Sequence, residues 1–275
     1  MRAALLQLTS GDDPAANLAA TEALVREAAD GGAELVLTPE CTNMVSASRE
    51  RQRERLCPEA GDPTLARMRA VAAERGVWLI LGSLLLKAGD DDRFVNRSFL
   101  VGPDGGIAAR YDKIHMFDVT LADGESYRES AAFRPGARAV VAEAAGLRLG
   151  LTICYDLRFP RLYRSLAQAG AGVLTVPAAF TAPTGQAHWH ALLRARAIEC
   201  GAYVLAPAQW GTHPATAGTP RRTYGHSLAV APWGEVIADA GEGTGVTFVE
   251  IDPAEVERAR AMVPSLRHDR DFTLP

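Results

Sequence analysis

Residues 147–180, LRLGLTICYDLRFPRLYRSLAQAGAGVLTVPAAF, decide how this chain folds. LRLGLTIC (147–154) has the apolar run of a buried strand, FPRLYRSLAQAG the spacing of a helix, and GVLTVPAAF the run of a second strand. Short, nearly all-apolar strands joined by a helix mark a sheet covered on both faces. Outward from this unit, the N-terminal half shows the same order. RAALLQLT (2–9) matches LRLGLTIC, ELVLTPECT matches GVLTVPAAF, and LARMRAVAAERGVWLILGS matches WHALLRARAIECGAYVLAPAQ. Ser98-x-x-Val101-x-Pro103-x-Gly105 returns as Ser227-x-x-Val230-x-Pro232-x-Gly234.

The first half spells out its elements. Leu18, Leu24, Val25 and Ala28 predict a helix over 14–30, with Asp12 or Asp13 as cap and Pro14 in the first turn. A short strand over 34–38, a helix at about 62–75 and the strands GVWLILGSLLL and FVNRSFLV follow, then a P-D-G-G turn and a polar loop through about 111–138. Two βαβαββ halves related by a pseudo-two-fold would pack sheet on sheet with helices outside. That is an α/β fold, a four-layer α-β-β-α sandwich. No linker or low-complexity segment divides the halves, so residues 1–275 read as one domain.

Composition narrows the function. The chain has 275 residues, of which 48% are hydrophobic and 23% charged, so disordered and collagen-like classes are excluded. A net charge of −4 argues against a nucleic-acid partner. No apolar run is long enough to span a bilayer, and MRAALLQLTSGDD reads as a first strand with no cleavage site behind it. Cys41, Cys57, Cys154 and Cys200 form no C-x-x-C pair, which speaks against a zinc site or a disulfide framework and for a cytoplasmic protein with reduced thiols. His188 and His190 stand two apart, off a common helix face, and make a poor metal pair. No metal and no cofactor is expected.

G-x-x-x-x-G-K-[ST], G-x-S-x-G and H-E-x-x-H are all missing, and the Gly241–Gly245 cluster leads into the strand VTFVEI, so it is a turn. Three polar residues instead stand out beside apolar strands: Glu40 after LVLTP, Cys154 after LGLTI, and Lys113 in RYDKIHMF. Singly, each has an ordinary explanation as a loop charge or a small buried hydrophobe. Together they supply a sulfur nucleophile, a base to deprotonate it, and a cation for an oxyanion. No histidine stands in a papain-like relation to Cys154, which leaves a carboxylate as the base.

The chain resembles the nitrilase superfamily of carbon–nitrogen hydrolases, most closely its Nit branch of small amidases. The resemblance rests on LVLTPECTN, RYDKIHMFDV, LTICYDLRFPRLYRSLAQAGAGVLTVPAAF, HWHALLRARAIE, YGHSLAVAPWGEVIA and SLRHDRDF, and runs from about residue 2 to 272. It implies the same sandwich, a Glu40–Lys113–Cys154 triad, and a second loop glutamate. Glu129 in SYRES matches that glutamate, with Glu125 as the alternative. Asp112, Arg161 and His190 depart from the family pattern, which commonly has Arg, Glu and Glu there.

The implied chemistry is hydrolysis of small linear amides to a carboxylic acid and ammonia through a cysteine thioester. Lys113 and the backbone N–H of Tyr155 would hold the oxyanion, and Glu129 would bond Lys113 or orient the substrate. A glutamate poised between acid and base calls for a raised pKa, which a partly apolar pocket favours and Lys113 opposes. The substrate class implied is ω-amides of 2-oxo acids, such as deaminated glutathione or 2-oxoglutaramate. Arg158, or less directly His188, would bind their carboxylate. Arg194, Arg196 and Glu199 read as structural. The resemblance also implies a homodimer. The rival readings are an N-carbamoyl-amino-acid amidohydrolase or nitrilase, and a non-catalytic binding protein on this fold. Tyr-Asp-Leu-Arg-Phe-Pro after Cys154 favours amidases over nitrilases, and the intact triad speaks against the binding protein.

Overall fold

A computed structural model describes residues 1–89, 92–120 and 126–273. It holds two six-stranded sheets of the same order. The first runs Gly245–Glu250, Arg2–Gln7, Leu35–Leu37, Trp78–Lys87, Phe94–Val101, Ile107–Asp112. The second runs Val140–Ala144, Leu147–Leu151, Val173–Thr175, Tyr203–Ala206, Leu228–Val230, Val236–Asp239. In each, the second, third and fourth strands are parallel and all other pairs antiparallel. The repeat read in the sequence is therefore a repeat in space. It is broken at one edge, where the first sheet takes Gly245–Glu250 from the far end of the chain.

Strand period two sorts the core into layers, because successive side chains leave opposite faces of a sheet. Ala4, Leu6, Val36, Leu79, Leu81 and Phe99 pack outward on Val25 and Ala28 of helix Pro14–Asp30 and on Leu65, Met68 and Val71 of helix Pro63–Arg75. Ala3, Leu5, Leu35, Leu37, Ile80 and Leu100 face inward and join Leu149, Leu151 and Val173 of the second sheet. Leu162 and Leu166 of helix Pro160–Gln168, with Leu193 and Ala197 of helix Ala182–Cys200, cover that sheet from outside. Burying each such leucine contributes about 1.5–3 kcal/mol, which is why the central strands tolerate almost no polar residue.

The local signals act where expected. Asp13, not Asp12, caps the first helix, accepting from Ala15 N at 3.2 Å; Asp12 turns away and accepts from Thr216 N and Oγ1. Asp62 caps helix Pro63–Arg75, and Gly76 closes it in the left-handed conformation. Several elements were not anticipated, among them three with weak apolar patterning. Val140–Ala144 is a mostly half-buried edge strand, helix Arg49–Arg55 buries only Gln52, and helix Pro253–Met262 buries only Val256 and Ala259. Each lacks the broad apolar face that periodicity detects. The loop over 111–138 also contains a small antiparallel pair, Asp118–Thr120 with Ser126–Arg128.

Candidate active site

Glu40 follows strand Leu35–Leu37, Lys113 follows Ile107–Asp112, and Cys154 opens a 3₁₀ turn, Cys154–Arg158, three residues past Leu147–Leu151. LRLGLTIC thus does not stay extended to its end. Cys154 has φ +50°, a left-handed conformation that costs a non-glycine residue about 1–3 kcal/mol and aims its side chain out of the sheet. Its N–H donates to Pro177 O at 2.9 Å. The Tyr155 N–H, at the start of the turn, has no protein acceptor among the described residues.

Gly82 lets the sheets close around this point. A Cβ there would lie 1.9 Å from Thr38 O, 2.6 Å from Pro39 O and 2.5 Å from Pro177 Cβ. The strand Trp78–Lys87 shifts register between Leu81 and Leu84, and Pro39 O accepts from Ser83 N at 3.2 Å. Glycine in this irregular strand leaves room for the segment that carries Glu40.

The triad is assembled and buried: Glu40 is 4%, Lys113 2% and Cys154 8% exposed. Lys113 Nζ donates to Glu40 Oε1 at 3.0 Å and to both Glu129 oxygens at 2.9 Å. Glu40 Oε1 also accepts from Asn96 Nδ2 at 2.9 Å, and Oε2 accepts from Ala179 N at 3.0 Å. The Cys154 thiol sits close enough to Glu40 for each to shift the other's proton affinity. Glu129 Oε2 is tied to Phe117 N at 2.6 Å. Glu125, the alternative second glutamate, lies outside the described residues.

The electrostatics correct one expectation. Burial pushes the Glu40 carboxyl up, but Lys113 and the Cys154 thiol outweigh it, and the net shift is downward from the ordinary value. Burial would lower Lys113, yet Glu129 and Glu40 hold its ammonium well above the usual range. Burial and then the Glu40 charge push the Cys154 thiol well up. These directions favour a carboxylate at Glu40, an ammonium at Lys113 and a neutral thiol at Cys154.

These groups open into a cavity of about 350 Å³ lined by Met44, Val45, Phe117, Tyr127, Phe133 and Phe180 among others. Tyr155 lines it too, its ring edge-on to Phe117 and Phe159. Arg158 and His188 do not. Arg158 Nη2 lies 3.3 Å from His188 Nδ1, and its guanidinium sits over Phe180, 5.5 Å from the ring centroid, so both stand behind the cavity wall. Sequence proximity to Cys154 is misleading here, because the 3₁₀ turn rotates Arg158 away from the nucleophile. Besides Lys113, the cations in the wall among the described residues are Arg49, Arg128 and Arg221.

Sequence reading also missed Asn96 and Asp156. Asn96 bonds Glu40, its carbonyl accepts from Lys113 N at 3.0 Å, and its buried Oδ1 has no partner among the described residues. An asparagine inside FVNRSFLV was the available signal, since strands rarely carry one. Asp156 is fully buried and accepts from Tyr111 OH at 2.6 Å, His115 N at 3.0 Å and Ile153 N at 2.9 Å. Other readings find their place. Arg196 grips Leu157 O with Nε and Nη2 and pairs with Glu199, a structural role. Arg194 bonds Gly234 O, Asp112 forms a two-pronged pair with Arg97, and Arg161 is exposed. One group of side chains has the donor types a metal would need. Although His188 stays apart, donor atoms of His190, His226 and Asp239 lie within 4.8 Å of one another. Spacing within one helix could not show a partner brought from another segment.

With this geometry in place, comparison with known proteins is direct. The Carbon-nitrogen hydrolase family model matches residues 2–261. The chain belongs to the carbon–nitrogen hydrolase family. Its fold is that of the nitrilase superfamily: the C. elegans NitFhit protein superposes with a TM-score of 0.90 at 36% identity, covering 98% of this chain and 65% of that one. A deaminated glutathione amidase of Yersinia enterocolitica is 41% identical over 97% of this chain and 92% of its own length. A glutamate-to-glutamine mutant of the amidase from Nesterenkonia sp. AN1, 28% identical with a TM-score of 0.79 over 96% of this chain and 95% of that one, has been seen with the acetamide moiety of fluoroacetamide covalently added at its active-site cysteine. This carbon–nitrogen hydrolase has no helix among its described residues long and apolar enough to cross a membrane.

Proposed function

We propose that this hydrolase is a cofactor-independent amidase in which Cys154 is the nucleophile. The observation that carries the reading is the buried Glu129–Lys113–Glu40 chain ending at the Cys154 thiol. Glu40 takes the thiol proton as Sγ attacks the amide carbonyl. The carbonyl electron pair becomes an oxyanion, held by Lys113 Nζ and the Tyr155 N–H. The carbon–nitrogen bond breaks as Glu40 returns the proton to the leaving nitrogen, leaving a thioester. Glu40 then deprotonates a water that attacks the thioester, the acid departs, and the proton returns to Sγ. Glu129 keeps Lys113 charged and fixed.

The substrate class we infer is ω-amides of 2-oxo acids, in keeping with relatives such as the Yersinia deaminated glutathione amidase. Such substrates are anionic, and Arg221 supports the assignment. It lines the cavity and its positive charge reaches Glu40. Arg49 and Arg128 add to the field. This moves the carboxylate partner from Arg158 and His188 to Arg221. We also propose a homodimer and a cytoplasmic setting. Ile198 and Trp233 are 55% and 52% exposed beside Gly234, an apolar surface suited to a second copy. All four cysteines are free.

The test is product formation from deaminated glutathione, 2-oxoglutaramate, carbamoyl amino acids and nitriles. The assay must detect 2-oxoglutarate from the first two and ammonia from the carbamoyl amino acids and nitriles. Of the first two only 2-oxoglutaramate would release ammonia, whereas deaminated glutathione would release cysteinylglycine as its leaving amine. Faster turnover of carbamoyl amino acids or nitriles would overturn the substrate and leave the thioester chemistry intact. Light scattering that finds a stable monomer would overturn the dimer.

A further inference from the structure

Away from the cavity, three side chains from three segments converge. His190 comes from helix Ala182–Cys200, His226 from the turn after strand Arg222–Tyr224, and Asp239 ends strand Val236–Asp239. His190 Nε2 lies 3.0 Å from Asp239 Oδ2, and His226 Nδ1 lies 3.2 Å from the same oxygen. Around a tetrahedral ion with bonds of about 2.0–2.2 Å, neighbouring donors stand about 3.3–3.5 Å apart. Both separations, and the 2.9 Å between His226 Nδ1 and Asp239 Oδ1, fall short of that spacing, so seating an ion requires the imidazoles to draw back from the carboxylate, and all three donors stand within 4.8 Å of one another.

The donors are also held in place. Asp239 Oδ1 accepts from Gly241 N at 2.8 Å, which orients the carboxylate, with Oδ2 beside His190 and both oxygens beside His226. His226 has φ +55°, its N–H donates to Gly241 O at 3.0 Å, and its carbonyl accepts from Trp189 Nε1 at 2.8 Å. Its ring stacks on Tyr224 with centroids 4.5 Å apart and planes 21° off parallel. A strained backbone fixed on both sides aims Nδ1 before any ligand arrives. The side chains of His190, His226 and Asp239 are 36%, 24% and 33% exposed, so an ion and water can reach them.

We propose that His190 Nε2, His226 Nδ1 and an Asp239 carboxylate oxygen form a binding site for a divalent transition cation of the zinc class, completed by water. Two imidazoles and one carboxylate suit zinc, and magnesium or calcium would want more oxygen ligands. The site takes no part in amide chemistry. The ion bridges helix Ala182–Cys200 to the Val236–Asp239 edge strand.

The experiment titrates chelator-treated enzyme with zinc chloride by calorimetry, beside the His190→Gln and Asp239→Asn variants. All three proteins carry the same four thiols, so zinc held by cysteine appears equally in each. The expected result is one micromolar or tighter zinc per wild-type chain, weakened about tenfold or more in both variants, with no comparable magnesium binding. Zinc should raise the melting temperature of wild type and not of the variants, while all three keep wild-type turnover without metal. Equal zinc binding by all three proteins, or none by wild type at micromolar concentration, would overturn the site. Since the two variants remove ligands on different elements, misfolding of one leaves the other decisive.

Discussion

Lys113→Ala puts the buried charge chain under the greatest strain. The ammonium is 2% exposed and bonds Glu40 at 3.0 Å and both oxygens of Glu129 at 2.9 Å. Removing one partner of a buried ionic set typically costs about 3–5 kcal/mol, because the charges left behind lose their compensation. Removing one oxyanion donor typically costs about 2.7–4 kcal/mol in the barrier, or about 10²–10³ in rate. A third effect follows from Glu40. Burial pushes its carboxyl up and Lys113 is the foremost influence pulling it below 4.5. Without the lysine, Glu40 holds its proton to higher pH, so the acid limb of kcat/KM moves upward. A depressed folded-state pKa contributes stability above the unfolded value, lost as pH falls through the folded value. The stability gap between wild type and variant is therefore widest at neutral pH and narrows in acid. Urea unfolding and pH-rate profiles measure both. The double variant Lys113→Met/Glu129→Gln should recover stability and no activity. A Lys113→Ala enzyme that kept more than about a tenth of kcat/KM, or left the acid limb in place, would refute the assigned role.

Three further outcomes are expected. Cys154→Ser should abolish turnover with little change in unfolding free energy, while Cys57→Ser and Cys200→Ser keep activity; steady-state assays and calorimetry distinguish them. Arg221→Met should raise KM for a 2-oxo-acid amide about tenfold or more and leave KM for a neutral short amide nearly unchanged, since it removes carboxylate binding and not a contact to the reacting carbonyl. Gly82→Ala should destabilise the protein by about 1–3 kcal/mol or more, because the new methyl meets the backbone oxygens of Thr38 and Pro39; thermal melts and kcat should fall together as Glu40 is displaced.

The sequence carried the layers and the triad because both obey local rules. Helix Pro14–Asp30 and strand Leu35–Leu37 are written in apolar spacing, and the recurrence of that spacing in the second half foretold two sheets of one order. Glu40, Lys113 and Cys154 were visible as polar residues where apolar strands end. Arg221 was not: it lies in a polar loop, and only the closure of Thr181 against Thr223 brings that loop to the cavity. Arg158 was misplaced for the converse reason, since nearness in sequence says nothing of which way a turn rotates a side chain. The His190–His226–Asp239 cluster was hidden because its members join across a helix, a turn and a strand.

The net pKa of Glu40 was equally out of reach, because it is a balance of opposing effects. An apolar cavity wall was inferable, and it acts in the expected direction. What decides the outcome is that Lys113 approaches to 3.0 Å and is itself anchored by Glu129. That approach depends on both sheets. Tyr111 and His115 flank Lys113 in the first half of the chain, and Ile153 precedes Cys154 in the second. Asp156 accepts from all three, so one buried carboxylate fixes the lysine segment to the nucleophile turn. A base kept ionised by a lysine must still receive a proton during each turnover. It can do so when the proton moves only as charge builds on the carbonyl oxygen, because the same lysine then turns its field toward the oxyanion and loosens its hold on Glu40.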